Sequence, residues 1–315
     1  MKRVVFFLLP LLAGLSWAQE GALSEPTPEG TVATTLNFPT EKVQTPRPVD
    51  VYCAGFLSKS VSKSKFVTGG VESPFTTLFG NRDIVYLRGR DYQAGQQYTI
   101  VRELRDPNLY ELYPGQSGAL RTAGTPYEDV ARVRVIDTRT RMAVARIEFS
   151  CDTVAPGDLV APFEEKSLVN FHPPIRFDRF ALASGQVNGR ILLAKDFDSE
   201  LGTGAKVYMS IGANQGLKVG DFLRAERTAN TIMNDAVESL SFSADAYEMT
   251  QKEPPTINPA MFDRGRGPTI HTGEMPRRGV GEIVIVGTTP TTSTGMIVFT
   301  LEPVHVGDTV ELDQQ

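Results

Sequence analysis

The sequence predicts an all-β fold: two tandem small β-barrels of the OB or SH3-like kind, related by an internal repeat and preceded by an extended N-terminal tether. Three observations lead there. The chain of 315 residues carries 28 Gly and 21 Pro, which punctuate it with turns, and 17 Phe and 9 Tyr, which suit pleated surfaces. From residue 49 nearly to the C-terminus, short runs of Val, Ile, Phe and Tyr are separated by Gly, Asn, Asp and Pro. Finally, 129–160 lies over 279–310 without gaps, and the eight identities fall on apolar and turn positions.

In chain order, residues 1–18 open with Lys2 and Arg3, continue through an apolar stretch, and end with the small residues Ser16 and Ala18. This predicts a secretory signal peptide and a periplasmic or secreted location. No later apolar stretch is long enough to span a bilayer, so no transmembrane segment is expected after cleavage. Residues 19–48 are polar, with Pro26, Pro28, Pro39, Pro46 and Pro48, and read as the tether. The first barrel is expected over 49–163, a connector containing His172-Pro173-Pro174 over 164–183, and the second barrel over 184–313. Each repeat reads as two strands about a Gly-rich turn, a variable excursion, a β-hairpin, a Gly-Asp turn and a last strand, four or five strands in all. The second repeat carries an insertion at 228–278, either a solvent loop or a binding loop, which holds the best helix candidate of the chain at 236–249.

An exported chain with two cysteines is expected to pair them, so Cys53 and Cys151 predict one disulfide; two separate buried thiols are the alternative. His172, His271 and His305 are scattered singly, which argues against a zinc site. The formal net charge of −5 lacks the basic footprint of a nucleic-acid binder.

The stretch 189–227, GRILLAKDFDSELGTGAKVYMSIGANQGLKVGDFLRAER, followed by GVGEIVIV, STGMIVF and VHVGDTVEL, resembles the C-terminal domain of the flagellar assembly protein T family over roughly 185–312. That family is a periplasmic component of flagellar basal-body rings, so the resemblance implies an envelope protein of similar fold. The first repeat, through YTIVR, VRVIDTRTRMAVARI and VAPGDLVAPF, is similar to segments downstream of LysM modules in exported bacterial proteins.

Candidate chemistry is sparse. Gly157-Asp158, Gly220-Asp221 and Gly307-Asp308 recur just before apolar strands. Their recurrence reads as tight turns, with Gly at positive φ and Asp bonding nearby amides, rather than as general bases or metal ligands. Asp196, Asp198 and Glu200 alternate but lack the Gly-containing loop of a calcium hand, so a solvated turn is expected. Ser60 and Ser62 each precede a lysine by three residues, without the further elements of a penicillin-binding site. No catalytic, cofactor or metal residue is therefore assigned.

The expected function is a non-enzymatic structural or adaptor module of the cell envelope, meeting another envelope protein or a second copy of itself. A peptidoglycan- or polysaccharide-binding module, using Tyr86, Tyr92, Tyr98, Tyr110 and Tyr113, is the second reading, and an envelope hydrolase the third. The repeat also singles out a surface. Val133, Val135, Ile147 and Phe149 match Ile283, Ile285, Ile297 and Phe299 and are expected to point inward. The outward residues Arg132, Arg134, Arg146 and Glu148 become Glu282, Val284, Met296 and Val298, which with Val286 form a largely apolar outer face. Such a face must be covered, either from within the chain, by the insertion or the first domain, or as an intermolecular interface.

Overall fold

The computed structural model describes residues 43–108, 110–169, 177–228, 232–233, 270–271 and 276–313. The expected signal peptide at 1–18, tether residues 19–42, His172-Pro173-Pro174 and the helix candidate at 236–249 lie outside them.

Alternating apolar residues build the first repeat in order: α1 (Pro48–Tyr52), β1 (Phe56–Ser58), β2 (Phe66–Gly70), β3 (Ile84–Arg88), β4 (Gln97–Glu103), α2 (Gln116–Ala123), β5 (Thr125–Asp137), β6 (Ala143–Ser150) and β7 (Leu159–Pro162). The second repeat follows as β8 (Asn188–Ala194), β9 (Glu200–Leu201), β10 (Lys206–Met209), β11 (Phe222–Arg227), β12 (Ile232–Met233), β13 (Ile270–His271), β14 (Arg278–Thr288), β15 (Ser293–Thr300), β16 (Val304–His305) and β17 (Thr309–Leu312). The result is nearly all β, with two closed six-stranded antiparallel barrels.

The strand orders are the same. The first barrel runs β5-β4-β7-β2-β3-β6 and closes on β5; the second runs β14-β11-β17-β8-β10-β15 and closes on β14. The equivalence extends to single residues: Val133 faces Ile147 as Ile283 faces Ile297, and Val135 faces Ala145 as Ile285 faces Gly295. Each hairpin skips one residue at Glu148 or Val298 and another at Ile136 or Val286, so both β-bulges recur. Six strands rather than four or five close each barrel, because β2 and β8 enter between the last strand and β3 or β10.

Val133, Val135 and Ile147 form the first core with Val67, Val85 and Ile100; Ile283, Ile285 and Ile297 form the second with Ile191, Val207 and Leu223. Phe149 and Phe299 depart from the expected inward set. The bulge at Glu148 or Val298 breaks the alternation, and both rings are only half-buried outside these cores: Phe299 packs at a tilt on Phe177, ring centroids 5.4 Å apart, and Phe149 lies near Tyr52 and Phe163.

The described end of the expected tether is not a spacer. Residues 43–58 form a strap that crosses from the second barrel to the first: the Gln44 N–H donates to the Val298 carbonyl at 2.9 Å, α1 follows, and β1 pairs with β5. Composition reads 43–48 as the polar, Pro-rich end of the tether, and these residues lead directly into the expected first domain, where Val51, Ala54 and Leu57 are each no more than 2% exposed.

Candidate functional site

The barrels meet through two elements of the first repeat. The strap lays Val51 and Ala54 against Phe222, Val284, Val286, Met296 and Val298. Leu57 and Ala123, supported by Ala119 and Leu120 of α2, pack on Leu192, Leu193 and Tyr208. Burying a Leu or Val side chain stabilises by about 1.5–3 kcal/mol, so these contacts are what hold the barrels together. Polar contacts fix the alignment: Thr294 Oγ1 donates to the Gly55 carbonyl at 2.9 Å, and Lys206 Nζ meets Asp50 Oδ1 at 3.1 Å. Gly55 has φ of 70°, and a Cβ there would lie 2.4 Å from the Tyr208 hydroxyl, so both conformation and closeness call for glycine.

The excursion between β4 and α2 is the second element. Tyr113 is buried in the core of the second barrel, Asn108 Nδ2 donates to the Phe197 carbonyl at 3.1 Å, and Gln116 Nε2 donates to the Leu192 carbonyl at 3.0 Å. The apolar face of Val284, Val286, Met296 and Val298 is therefore covered from within the chain, by the first domain. All four are at most 1% exposed, and the reading of this face as an intermolecular interface is corrected accordingly.

Cys53 and Cys151 form the disulfide and anchor the strap on the end of the first hairpin. Beside it the Asp129 carboxylate accepts from the Gly55 N–H at 3.0 Å and from Lys166 Nζ at 2.6 Å, which ties strap, β5 and connector together.

The Gly-Asp pairs sit in turns. Gly157, Gly220 and Gly307 have φ of 98°, 97° and 105°. Asp158, Asp221 and Asp308 accept from the backbone N–H three residues earlier, each at 2.8 Å. Two of these carboxylates are also clamped: Arg102 grips Asp158 at 2.8 and 2.9 Å, and Arg227 grips Asp308 at 2.9 and 2.8 Å. A carboxylate held by a bidentate guanidinium and a backbone amide is committed to structure. A fourth such turn escaped the sequence reading because a non-glycine, Arg82 at φ 75°, precedes its Asp83.

The remaining candidates do not converge. Asp196 and Asp198 lie exposed on the loop after β8, and Glu200, also exposed, opens β9. Lys63 pairs with Glu103 at 2.9 Å, and Lys65 lies over the Tyr92 and Tyr98 rings, so each lysine near Ser60 and Ser62 is engaged elsewhere. Tyr98 and Tyr113 belong to barrel cores; Tyr110, 72% exposed, edges a groove lined by Lys59, Asp106, Glu111 and Arg121. Among the described residues no group of three or more His, Cys, Asp or Glu side chains could hold a metal ion, and no helix is long and apolar enough to cross a membrane.

One ionisable cluster carries a perturbed carboxylate. Glu226 on β11 and Glu311 on β17 share Arg277, with Arg224 and Asp313 alongside. Burial, and then the charge of Glu311, push the Glu226 carboxyl up to about 7, whereas the bonds from Arg277 pull Glu311 down against its own burial. Glu226 thus stays protonated in the folded chain after it has ionised in the unfolded one, and stability falls as pH rises from about 4.5 toward 7. Glu226→Gln should flatten that limb of a plot of unfolding free energy against pH; an unchanged slope would show that the carboxyl is ionised throughout.

The most conspicuous surface is the β2–β3 loop. Val71 and Leu78 are each 58% exposed and Phe75 is 96% exposed, whereas Phe79, one residue beyond Leu78, is anchored in the first core. A second uncovered pair lies just before β8, with Phe180 at 62% and Leu182 at 90%.

No family model matches the chain, and no curated protein is similar enough in sequence to count as a relative.

Proposed function

We propose that the protein is a non-enzymatic component of the cell envelope, exported to the periplasm or beyond, that acts as a rigid adaptor through protein contacts. The observation that carries this reading is the β2–β3 loop, which presents Val71, Phe75 and Leu78 to solvent from a firmly anchored base. Large apolar side chains are seldom left so exposed together without a contact to make. The disulfide and the expected signal peptide support the oxidising compartment, and the resemblance of 185–312 to the flagellar assembly family agrees with it.

A photo-crosslinking residue at position 75 in the native host should give a discrete adduct with one envelope protein. Phe75→Ser should abolish that partner's capture while leaving the melting temperature within a degree or two of wild type. A loss of stability would show instead that the loop serves the fold. The polysaccharide reading rests on Tyr110 at its groove. Cosedimentation with purified peptidoglycan, lost in Tyr110→Ala and kept in Phe75→Ser, would favour that reading over the adaptor.

A further inference from the structure

The internal joint has two halves, and each has an uncovered equivalent elsewhere on the chain. On the receiving side, β8, β10, β15 and β14 of the second barrel lie under the strap. Their equivalents β2, β3, β6 and β5 carry Tyr86 in the place of Tyr208, Arg134 in that of Val284, Ile136 in that of Val286 and Arg146 in that of Met296. Ile136 is 44% exposed, Met142 beside it is 38% exposed, and both arginines are exposed.

On the docking side, the residues before β8 form the second barrel's own strap. The Gly55 N–H donates to the Asp129 carboxylate of β5, and at the equivalent place on β14 the bond runs the other way, the Gly279 N–H donating to the Arg179 carbonyl at 2.7 Å. Cys53 is fixed to Cys151 at the end of the first hairpin by its disulfide, and Phe177 packs near the end of the second hairpin on Phe299, two residues short of the equivalent of Cys151. Phe180, Ala181 and Leu182 then stand where Phe56, Leu57 and Ser58 stand in the first repeat, but with Phe180 and Leu182 uncovered.

The polar substitutions on the two sides match. Ala54 of the first strap packs in one cluster with Val284 and Met296. In the second strap its place is taken by Asp178, exposed, and on the first barrel the places of Val284 and Met296 are taken by Arg134 and Arg146. Arg134 is paired with Glu148, while Arg146 has no ion pair among the described residues. An apolar contact in the internal joint thus becomes an Asp–Arg contact in the external one.

We propose that the protein self-associates head to tail, the 177–183 strap of one copy docking on the outer β2-β3-β6-β5 face of the next, with Asp178 opposite Arg146. Such a contact is heterologous and repeats from copy to copy. It goes beyond the adaptor reading and uses none of Val71, Phe75 or Leu78, so either can fail without the other.

Sedimentation of the purified protein from roughly 1 μM to 1 mM should show mass rising past the dimer, more weakly at high salt. Asp178→Arg and Arg146→Glu, each with unchanged circular dichroism and melting, should weaken association about tenfold or more. Mixed in equal amounts, the two variants offer the native Asp178–Arg146 contact in one direction and its charge-exchanged counterpart in the other, so they should associate past the dimer although neither does so alone. The doubly exchanged chain, Asp178→Arg with Arg146→Glu, should associate again, and Phe75→Ser should associate like wild type. A wild type that stays monomeric at 1 mM overturns the proposal. So does a closed dimer insensitive to both substitutions, or a doubly exchanged chain no better than either single variant.

Discussion

Lysine at both 284 and 298 is expected to cost about 5 kcal/mol or more, the largest effect of any surface-derived substitution in this chain. Both side chains are fully buried between the second barrel and the strap, and no carboxylate belongs to the cluster of Val51, Ala54, Phe222, Val286 and Met296 around them. Two ammonium groups there would be desolvated without partners. Because the positions share one cluster, the double variant should cost less than the two single ones added together. The strap can escape by detaching ahead of Tyr52, since Tyr52 packs on Phe163 and Cys53 is bridged to Cys151. The variant should therefore bind a hydrophobic dye at temperatures where wild type does not, while remaining monomeric in dilute solution. A melting point within about two degrees of wild type would show that the strap does not cover this face.

Opening the Cys53–Cys151 bridge comes next. The two cysteines are 98 residues apart, and in the chain-entropy model closing a loop of that length is worth about 4–5 kcal/mol. Reduction, or replacement of both cysteines by alanine, should lower the unfolding free energy by roughly that amount. The first barrel should lose most, because strands from β1 through β6 lie inside the loop and no strand of the second barrel does. Thiol titration of the denatured, unreduced protein should find no free thiol. Two titratable thiols per chain, or equal destabilisation of both barrels under reduction, would contradict this account.

The legible part of the fold was the hairpin unit. Alternation of Val133, Val135 and Ile147 against that of Ile283, Ile285 and Ile297 fixes which residues face inward, and a shared register follows because a slip of one residue would turn each set outward. What escaped has definite causes. β2 reads Phe66-Val67-Thr68-Gly69-Gly70, and its paired glycines look like a turn until barrel closure supplies partners on both sides. α2 follows Gly115, contains Gly118 and shows no apolar period, because it is held mainly by its contacts with the second barrel. Arg102 and Arg227 recur visibly after their Gly-rich turns, but the carboxylates they grip lie 56 and 81 residues further on. Sequence also shows that Val284, Met296 and Val298 form an apolar face and is silent on what covers it. The strap that does so is a Pro-rich stretch whose burial depends on a surface more than two hundred residues away.

The position of the disulfide within the strap gives the molecule a mechanical character. A pull applied at residue 43 is met first by the second barrel, through the Gln44 bond to Val298, the Asp50–Lys206 pair and the packing of Val51. Once these yield, tension reaches Cys53 and passes straight across the covalent bridge to Cys151. The chain between them, a sequence separation of 98, carries none of it, and roughly 330 Å of chain is withheld from extension. The part of the first barrel from β1 to β6 therefore behaves under load as an inextensible bead, while the give lies in the short strap ahead of it and in β7 beyond it.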